Sequence, residues 1–117
     1  MKFTLRIKKN KNIKYILKNG HYFKAKNLVV YIFENNKKTN FSNYLAICVN
    51  KKNGISVHRN KMKRWAREAY KYEEDKIKKG YNIVILYKSK VTIDQLNFFN
   101  VYEDIKRCFK GLNFYEN

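Results

Sequence analysis

The segment from Ser56 to Tyr72, SVHRNKMKRWAREAYKY, constrains the fold more than any other part of the chain. At about 100° per residue, its side chains separate into two opposed arcs. The pattern predicts a helix that has Ser56 as its N-cap and continues to about Lys78 or Lys79. One face of that helix must be buried by the rest of the fold. The apolar arc consists of Met62, Trp65, Ala66, Ala69 and Tyr72. The basic arc consists of Asn60, Lys63, Arg64, Arg67 and Lys71, with Arg59 at its margin.

The basic arc holds three of the five arginines in the chain, although most of the positive charge elsewhere comes from lysine. Arginine binds phosphate through two parallel hydrogen bonds and stacks on bases, whereas lysine acts as a point charge. A merely solvated helix face usually carries both signs of charge, and only Glu68 interrupts this one. Because Glu68 follows Arg64 by four residues, we expect an ion pair between them. We interpret the arc as a phosphate-binding face.

The overall charge supports a polyanionic partner. The chain has 27 Lys and Arg against 9 Asp and Glu, a formal net charge of +18. Such a charge destabilises a compact chain by self-repulsion unless a polyanion neutralises it. Nucleic acid is the simplest such partner, and an anionic membrane is the other. Hydrophobic residues make up 44% of the 117 residues, which is enough for one folded domain spanning 1–117.

The cysteines and the hydropathy of the sequence indicate the cellular compartment of the protein. Cys48 and Cys108 lie in apolar segments, and we interpret them as buried thiols in a reducing environment. No apolar run approaches the length that spans a membrane, and the N-terminus has no secretory signal pattern. We therefore expect a cytoplasmic protein without membrane segments.

The remaining elements follow from hydrophobic periodicity and turn signals. Residues 1–9 are expected to be irregular, and the polar stretch 35–43 to be a mobile loop. Thr92 and Gln95 are spaced as a capping box that would start the last helix. A strand, a long helix and another strand predict a βαβ unit with parallel pairing. The predicted order is αβββαβα, with helices at 10–19, 56 to about 79 and from 92, and strands at 21–23, 27–34, 44–49 and 82–87.

Alternation along the strand at 27–34 assigns its side chains to two faces. Leu28, Val30 and Ile32 lie on one face, and Val29, Tyr31 and Phe33 lie on the other. For a lone tyrosine on a strand, a place in the core is the default interpretation. Along the final helix, a single buried stripe is expected, made of Phe98, Tyr102, Ile105, Phe109 and Leu112.

No catalytic set of side chains is evident in the sequence. The two histidines, His21 and His58, form no metal-ligand spacing with the cysteines. The run Glu73, Glu74 and Asp75 could hold a divalent cation, but we favour a solvated run of charges. Without further information, the sequence indicates a basic, globular, RNA-binding protein that lacks catalytic residues of its own.

The segment RNKMKRWARE, preceded by KKNGISVH, resembles the signature helix of the bacterial ribonuclease P protein component. Lys61 departs from the pattern, since the family usually has arginine there. The resemblance extends more loosely from about Leu5 to Phe109. The positions that match the signature are Lys51, Lys52, Gly54, Val57, Arg59, Asn60, Lys63, Arg64, Arg67 and Glu68.

The resemblance implies an α/β sandwich with a small mixed sheet and a left-handed βαβ crossover, whereas such crossovers are right-handed in about 98% of cases. It implies that the protein pairs with ribonuclease P RNA as a heterodimer and binds precursor tRNA. The RNA subunit would be the catalyst, with Mg²⁺ held mainly by RNA. The implied RNA-binding residues are Lys51, Lys52, Arg59, Asn60, Lys61, Lys63, Arg64, Arg67 and Lys71, with the edge formed by Asn60 and Lys63 facing the leader or a bound metal.

The resemblance also implies a cleft between the sheet and the first helix that takes the single-stranded 5′ leader of precursor tRNA. Tyr31 matches the cleft tyrosine of the family. Ile13 and Leu17 occupy two positions that are often phenylalanine, so this cleft is expected to be apolar but less aromatic. Tyr15 and Phe33 are near enough in sequence to compensate. The implied leader-cleft residues are Ile13, Leu17, Tyr31 and Phe33.

Three other functions remain open from the residues themselves. A ribosomal-protein-like or general single-strand RNA-binding protein would bind structured RNA without changing any cleavage. A self-sufficient nuclease would need an acid/base pair or a metal site that the sequence does not offer. A membrane-active basic helix is disfavoured because the sheet needs the apolar arc. Cleavage of precursor tRNA with protein and RNA, separately and together, distinguishes these functions.

Overall fold

The computed structural model describes residues 4–35 and 42–116. These residues form five strands and three helices, joined in places by short 3₁₀ turns. In chain order the elements are β1 (Thr4–Arg6), α1 (Asn10–Asn19), β2 (His21–Lys24), β3 (Leu28–Glu34), β4 (Asn43–Cys48), α2 (Ser56–Glu73), β5 (Tyr81–Tyr87) and α3 (Phe98–Gly111). The 3₁₀ turns are Lys51–Asn53, Glu74–Lys76 and Ile93–Gln95.

The strands form one mixed sheet in the order β1-β4-β5-β3-β2. β4 pairs parallel to β5 across α2, which confirms the predicted βαβ unit, while β3 pairs antiparallel to both β5 and β2. β1 pairs parallel to β4 and contradicts the expectation that residues 1–9 are irregular. A three-residue edge strand is too short to show periodicity, and its pairing depends on β4. The α+β class is confirmed, but the order begins with a strand, and the hand of the crossover stays a prediction.

α2 and α3 cover one face of the sheet. Leu28, Val30 and Ile32 of β3 lie in the main core together with residues of both helices. Met62 and Ala66 of α2 are completely buried in this core. This face therefore buries the apolar arc of α2 and leaves its basic arc outside.

α1 covers the opposite face with a second, smaller apolar cluster. Ile16 of α1 and Val84 of β5 are buried there. Tyr31 and Phe33 pack against that cluster, so the predicted alternation along β3 is confirmed. Gly20 follows the last residue of α1 and packs closely against the helix. A side chain does not fit there, because a Cβ at this position would lie 2.7 Å from the carbonyl oxygen of Ile16.

The ends of α2 differ from the prediction. Ser56 is the first helical residue rather than the N-cap, and its Oγ accepts a hydrogen bond from Nη2 of Arg59 at 3.2 Å. The helix ends at Glu73, where a 3₁₀ turn follows. Tyr72, expected in the buried arc, is 63% exposed, whereas Tyr70 is buried. Tyr70 contacts Thr4 of β1 at 2.7 Å between hydroxyl oxygens, and that strand was not predicted.

The start of α3 also differs from the prediction. Thr92 and Gln95 do form a capping box, but it closes only the 3₁₀ turn Ile93–Gln95. α3 begins after Asn97, whose side chain accepts a hydrogen bond from the backbone N–H of Asn100 at 2.9 Å. Of the expected stripe, Ile105 and Phe109 are buried, while Phe98, Tyr102 and Leu112 are only partly buried.

Two further expectations concern the loop and the cysteines. The loop expected at 35–43 lies largely outside the described residues, and Asn43 already belongs to β4. Both cysteines are free thiols. Cys108 is buried as expected, whereas Cys48 is only partly buried.

Candidate nucleic-acid interface

The basic arc of α2 forms an exposed face of the molecule, which we call the basic face: Arg59, Asn60, Lys63, Arg64, Arg67 and Lys71. The main core takes the opposite side of the helix, so most of this face is turned to solvent. Arg59 and Lys63 are partly buried, and the other four are exposed. The face is thus available to an external anion along roughly three and a half turns of one helix.

Within this face, most of the guanidinium and ammonium groups lack acidic neighbours. Glu68 pairs with Lys71 at 3.3 Å, rather than with Arg64 as expected. Within residues 4–35 and 42–116, the Nε of Arg59 is a buried donor without a hydrogen-bond partner. A buried unsatisfied donor costs free energy that an added acceptor would recover. The face therefore carries cations that internal ion pairs do not neutralise.

Lys51 and Lys52 extend the basic surface beyond the start of α2. Both are exposed on the 3₁₀ turn Lys51–Asn53. The buried side chain of Asn53 fixes this turn by donating to the carbonyl oxygens of Lys88 at 2.9 Å and Val91 at 2.6 Å. Lys61 lies at the other margin of the basic face, with its Nζ 5.2 Å from the ring centroid of Trp65.

A cavity of about 390 Å³ joins the basic face to the side of the sheet that α1 covers. Lys63 and Arg67 of α2 line it together with Arg6, Lys8 and Ile13. Four cations and an apolar floor thus meet between α2 and the start of α1. Arg6 and Lys8 were not predicted, because the irregular segment assigned to residues 1–9 gave no reason to place them near α2.

A second cavity of about 870 Å³ continues along the same face of the sheet. It shares Arg6 and Lys8 with the first cavity and is also lined by Phe33 and Tyr44. The two cavities therefore adjoin, and together we call them the cleft. The cleft runs from the basic face to the aromatic end of β3.

The four predicted cleft residues, Ile13, Leu17, Tyr31 and Phe33, lie in one apolar layer between α1 and the sheet. All four are partly buried. Ile13 lines the first cavity and Phe33 the second, while neither cavity is lined by Leu17 or Tyr31. The structure thus brings the four side chains together, with two of them on the open part of the cleft.

Aromatic rings beyond the predicted set border this layer. The rings of Tyr15 and Phe33 meet edge to face, with centroids 5.4 Å apart, and those of Tyr22 and Tyr31 lie 5.6 Å apart. Tyr15 and Tyr22 are each 55% exposed. Sequence reasoning missed Tyr22, which is brought beside Tyr31 by the antiparallel register of β2 and β3. Tyr15 and Tyr22 supply aromatic surface that Ile13 and Leu17 do not.

Burial sets the protonation of two groups in this layer. It raises the pKa of the Tyr31 hydroxyl, with a further contribution from Tyr22. Burial also raises the pKa of the Cys48 thiol, although the charge of Lys63 acts in the opposite direction. Both groups are therefore neutral at physiological pH.

The acidic run at the end of α2 is solvated only at Asp75, which corrects the sequence-based interpretation for Glu73 and Glu74. Glu73 and Glu74 are 2% and 3% exposed. Glu73 accepts hydrogen bonds from the hydroxyls of Tyr102 at 2.8 Å and Tyr115 at 2.7 Å. Glu74 accepts one from the Thr4 hydroxyl. Across the described residues, no group of three His, Cys, Asp or Glu side chains is arranged to hold a metal ion.

No helix in the described part of the chain combines the length and the apolar character needed to cross a membrane.

The chain is similar to known proteins along nearly its whole length. Residues 1–113 match the family model described as Ribonuclease P. The chain is 34% identical over 108 residues to the ribonuclease P protein component of Clostridioides difficile, covering 92% of this chain and 90% of that protein. It is also 34% identical over 115 residues to that of Macrococcus caseolyticus, covering 97% and 96%.

Two solved structures share the fold. The Staphylococcus aureus RNase P protein superposes with a TM-score of 0.81 at 29% identity, covering 95% of this chain and 97% of that one. The RNase P protein from Thermotoga maritima gives 0.74 at 27% identity, covering 87% and 92%.

Proposed function

The chain belongs to the ribonuclease P protein family, and from this premise we propose how its two surfaces divide RNA between them. It is the protein subunit of ribonuclease P, a ribonucleoprotein endoribonuclease that processes tRNA precursors. Its partners are ribonuclease P RNA and precursor tRNA. The basic face would bind the RNA subunit, and the cleft would bind the 5′ leader of the substrate, within one RNA-binding domain of residues 1–117.

The exposed cations of the basic face support the first assignment. Arg64 and Arg67 are exposed on one side of a helix whose other side is fixed in the core, so their positions are set before RNA arrives. Lys51, Lys52 and Lys61 widen the surface at its margins. Phosphate contacts of this kind position a protein on RNA without reading sequence.

The residues that line the cleft support its assignment to the 5′ leader. A single-stranded leader carries unpaired bases, which stack on aromatic side chains while cations follow the backbone. Phe33 and Tyr44 line one end of the cleft, and Lys8 and Arg6 lie along its middle. We assign the leader bases to the layer of Ile13, Leu17, Tyr31 and Phe33, with Tyr15 and Tyr22 as further stacking surfaces.

The cavity between α2 and α1 is the observation that carries the proposal. Lys63 and Arg67 belong to the basic face and also line the cleft, so RNA bound on one surface would be continuous with RNA bound on the other. We assign the Asn60 and Lys63 edge to the point where the leader leaves the RNA subunit.

We assign the divalent metal to the RNA. Ribonuclease P is in general a metal-dependent ribonucleoprotein. The described residues offer no carboxylate, histidine or cysteine cluster for such an ion, and the proposed interface is cationic. Mg²⁺ would therefore be held mainly by RNA phosphates, with the protein's cations lowering the repulsion between the strands that meet there. We also assign the protein to the cytoplasm, where its tRNA substrates are made.

The test is precursor-tRNA cleavage at low Mg²⁺ with the protein alone, ribonuclease P RNA alone, and both together. We expect correct 5′ cleavage only in the combined reaction, and none from protein freed of RNA. A general RNA-binding protein would leave cleavage by the RNA unchanged. Correct cleavage by the protein alone would identify a self-sufficient nuclease. Either of those results would contradict the proposal.

A further inference from the structure

A group of aromatic side chains lies where the start of α3 packs beside α2, and the proposed function does not use it. We call it the aromatic shelf: Tyr72, Phe98, Phe99 and Tyr102. Phe99 is 75% exposed and Tyr72 is 63% exposed. Single exposed apolar residues are common on protein surfaces, whereas a contiguous group usually marks an interaction site.

The rings of the shelf contact one another. Tyr72 lies 6.2 Å from Phe98 and 5.8 Å from Tyr102 between ring centroids, and Phe98 lies 5.7 Å from Tyr102. Phe99 joins the group through Phe98 at 6.1 Å. The shelf is therefore a continuous surface rather than four separate side chains.

Contacts beneath the shelf hold two of its rings, those of Phe98 and Tyr102, in place. The Tyr102 hydroxyl donates to the buried carboxylate of Glu73 at 2.8 Å. Phe98 and Tyr102 also pack against the main core. A ring that is already ordered loses little side-chain entropy when a ligand stacks on it, so the shelf is prepared to bind a flat partner.

The shelf adjoins the basic face at its edge away from the cleft. At about 100° per residue, Tyr72 lies roughly 180° around α2 from Lys63, which lines the cleft. Lys71 of the basic face directly precedes Tyr72 in the sequence. RNA that lies across the basic face would therefore reach the shelf at its far margin.

The positive charge of the chain favours a nucleic acid over a second copy of the chain as the partner of the shelf. Nζ of Lys106 lies 4.4 Å from the ring centroid of Tyr102, and Lys106 also pairs with Glu103 at 2.9 Å. The chain carries a net charge of +18, so a second copy would approach against strong repulsion. A nucleobase has a π face for the rings, and its phosphate suits the nearby cations.

We propose that the aromatic shelf binds an unpaired nucleobase of the RNA that lies on the basic face, which makes it a third RNA contact besides that face and the cleft. This inference rests on the proposed function, because the basic face must first bring the RNA to the shelf. The base belongs to ribonuclease P RNA, because the basic face beside the shelf is assigned to that RNA.

The test compares Phe99→Ala with Phe99→Leu. Leucine keeps an apolar side chain of similar reach but has no π face, so both variants should weaken stacking, whereas a purely apolar contact would tolerate leucine. Lys110→Ala is the control, since Lys110 is exposed on the same helix and lies outside both the shelf and the basic face. Thermal unfolding should show that all three variants are folded, because the altered side chains are exposed.

Two binding measurements locate the base. One measures assembly of the protein with ribonuclease P RNA, and the other measures binding of precursor tRNA by the assembled holoenzyme. Both Phe99 variants should weaken assembly with ribonuclease P RNA by at least about fivefold, with the salt dependence unchanged. Binding of precursor tRNA by the assembled holoenzyme should stay at the wild-type level.

Three results would overturn the inference. Wild-type affinity of Phe99→Ala for ribonuclease P RNA would exclude a base of that RNA on the shelf, even if binding of precursor tRNA fell. Full affinity of Phe99→Leu would replace stacking with an apolar contact. A wild-type dimer that Phe99→Ala dissociates in sedimentation would make a second copy the partner. Arg64→Ala, measured in parallel, tests the basic face independently, so failure of the shelf can be distinguished from failure of the proposed function.

Discussion

Tyr31 combines partial burial with a position in the proposed cleft. Its ring packs on the apolar layer below α1 and lies 5.6 Å from the ring of Tyr22. A core tyrosine would contribute mainly to stability, whereas a cleft tyrosine would contribute mainly to binding of the leader. Removal of the ring should therefore lower mainly stability if Tyr31 is a core residue, and mainly leader binding if it is a cleft residue.

We expect Tyr31→Ala to weaken holoenzyme binding of leader-bearing precursor tRNA by about 1–3 kcal/mol, the typical contribution of one base stacked on an aromatic ring. Binding of mature tRNA should barely change, and Tyr31→Phe, which keeps the ring, should resemble the wild type. Affinity measurements with both tRNAs, together with thermal unfolding, check this. A variant that melts far below the wild type and loses both ligands equally would show that Tyr31 is a core residue, for which large-to-small changes cost about 3–5 kcal/mol.

Glu73 is a buried acid whose environment favours its charged form. Burial alone raises the pKa of its carboxyl, but hydrogen bonds from Tyr115 and Tyr102 and the nearby charge of Lys76 together outweigh burial and lower it. A lowered folded-state pKa stabilises the fold above the unfolded-state value of about 4.3. That stabilisation is lost as the pH falls from the unfolded-state value through the lower folded-state pKa.

We therefore expect Glu73→Gln to lower the free energy of unfolding at pH 7 by about 1–3 kcal/mol and to flatten the decline of that free energy as the pH falls below about 4.3. Urea unfolding at several pH values measures both effects. The control is Glu103→Gln, since Glu103 is an exposed acid paired with Lys106, and it should change stability little. Equal behaviour of the two variants would refute the role given to the Glu73 hydrogen bonds.

At the scale of the element, one side of α2 stabilises the fold and the other carries the cations proposed to bind RNA. Its apolar side is fixed in the main core through Met62 and Ala66, and its basic side faces outward. Substitutions on the basic side should therefore alter RNA binding without altering the fold.

Arg64→Ala tests that separation. Each neutralised phosphate releases counterions, with a slope of roughly −0.7 to −0.9 per contact in a plot of log affinity against log salt. Loss of Arg64 should reduce the slope for ribonuclease P RNA by about one unit, with unchanged thermal unfolding. Lys110→Ala removes an exposed charge from the end of α3, outside the basic face, and should leave the slope unchanged. If Arg64→Ala gives the wild-type slope, Arg64 makes no phosphate contact.

The elements that the sequence predicted best are those whose own periodicity determines them. The range 10–19 predicted for α1 agrees with the structure, and the strands at 27–34 and 82–87 differ from it by one residue each. β1 was missed because its three residues become a strand only by pairing with β4. The start of α3 was placed at Thr92 because two capping boxes follow each other, and local spacing does not show that the one at Asn97 starts the longer helix.

The candidate site was predictable only in part, for the same reason. The basic face follows from the period of one helix, so its members could be read from the sequence. Arg6 and Lys8 line the cleft because of the sheet order, and Tyr22 lies beside Tyr31 because of the register between strands; both are tertiary facts. The burial of Glu73 was missed because its partners, Tyr102 and Tyr115, lie 29 and 42 residues away.

At the scale of the whole molecule, the sheet keeps the two proposed RNA surfaces in a fixed relation. α2 and α3 lie on one side, α1 lies on the other, and the cavity lined by Lys63 and Arg67 connects them. A protein that only neutralised phosphates would help every RNA ligand alike. A protein that also holds the leader should favour substrates that have one, and this difference is the central claim.

The most direct measurement is the gain in affinity that the protein gives to ribonuclease P RNA, determined separately for precursor tRNA with a leader and for mature tRNA, at one salt and Mg²⁺ concentration. We predict a clear gain for precursor tRNA, little or none for mature tRNA, and a smaller gain when the leader is shortened to one or two nucleotides. An equal gain for precursor and mature tRNA would contradict the proposal that the cleft binds the leader, because the cleft would then have no part in substrate binding.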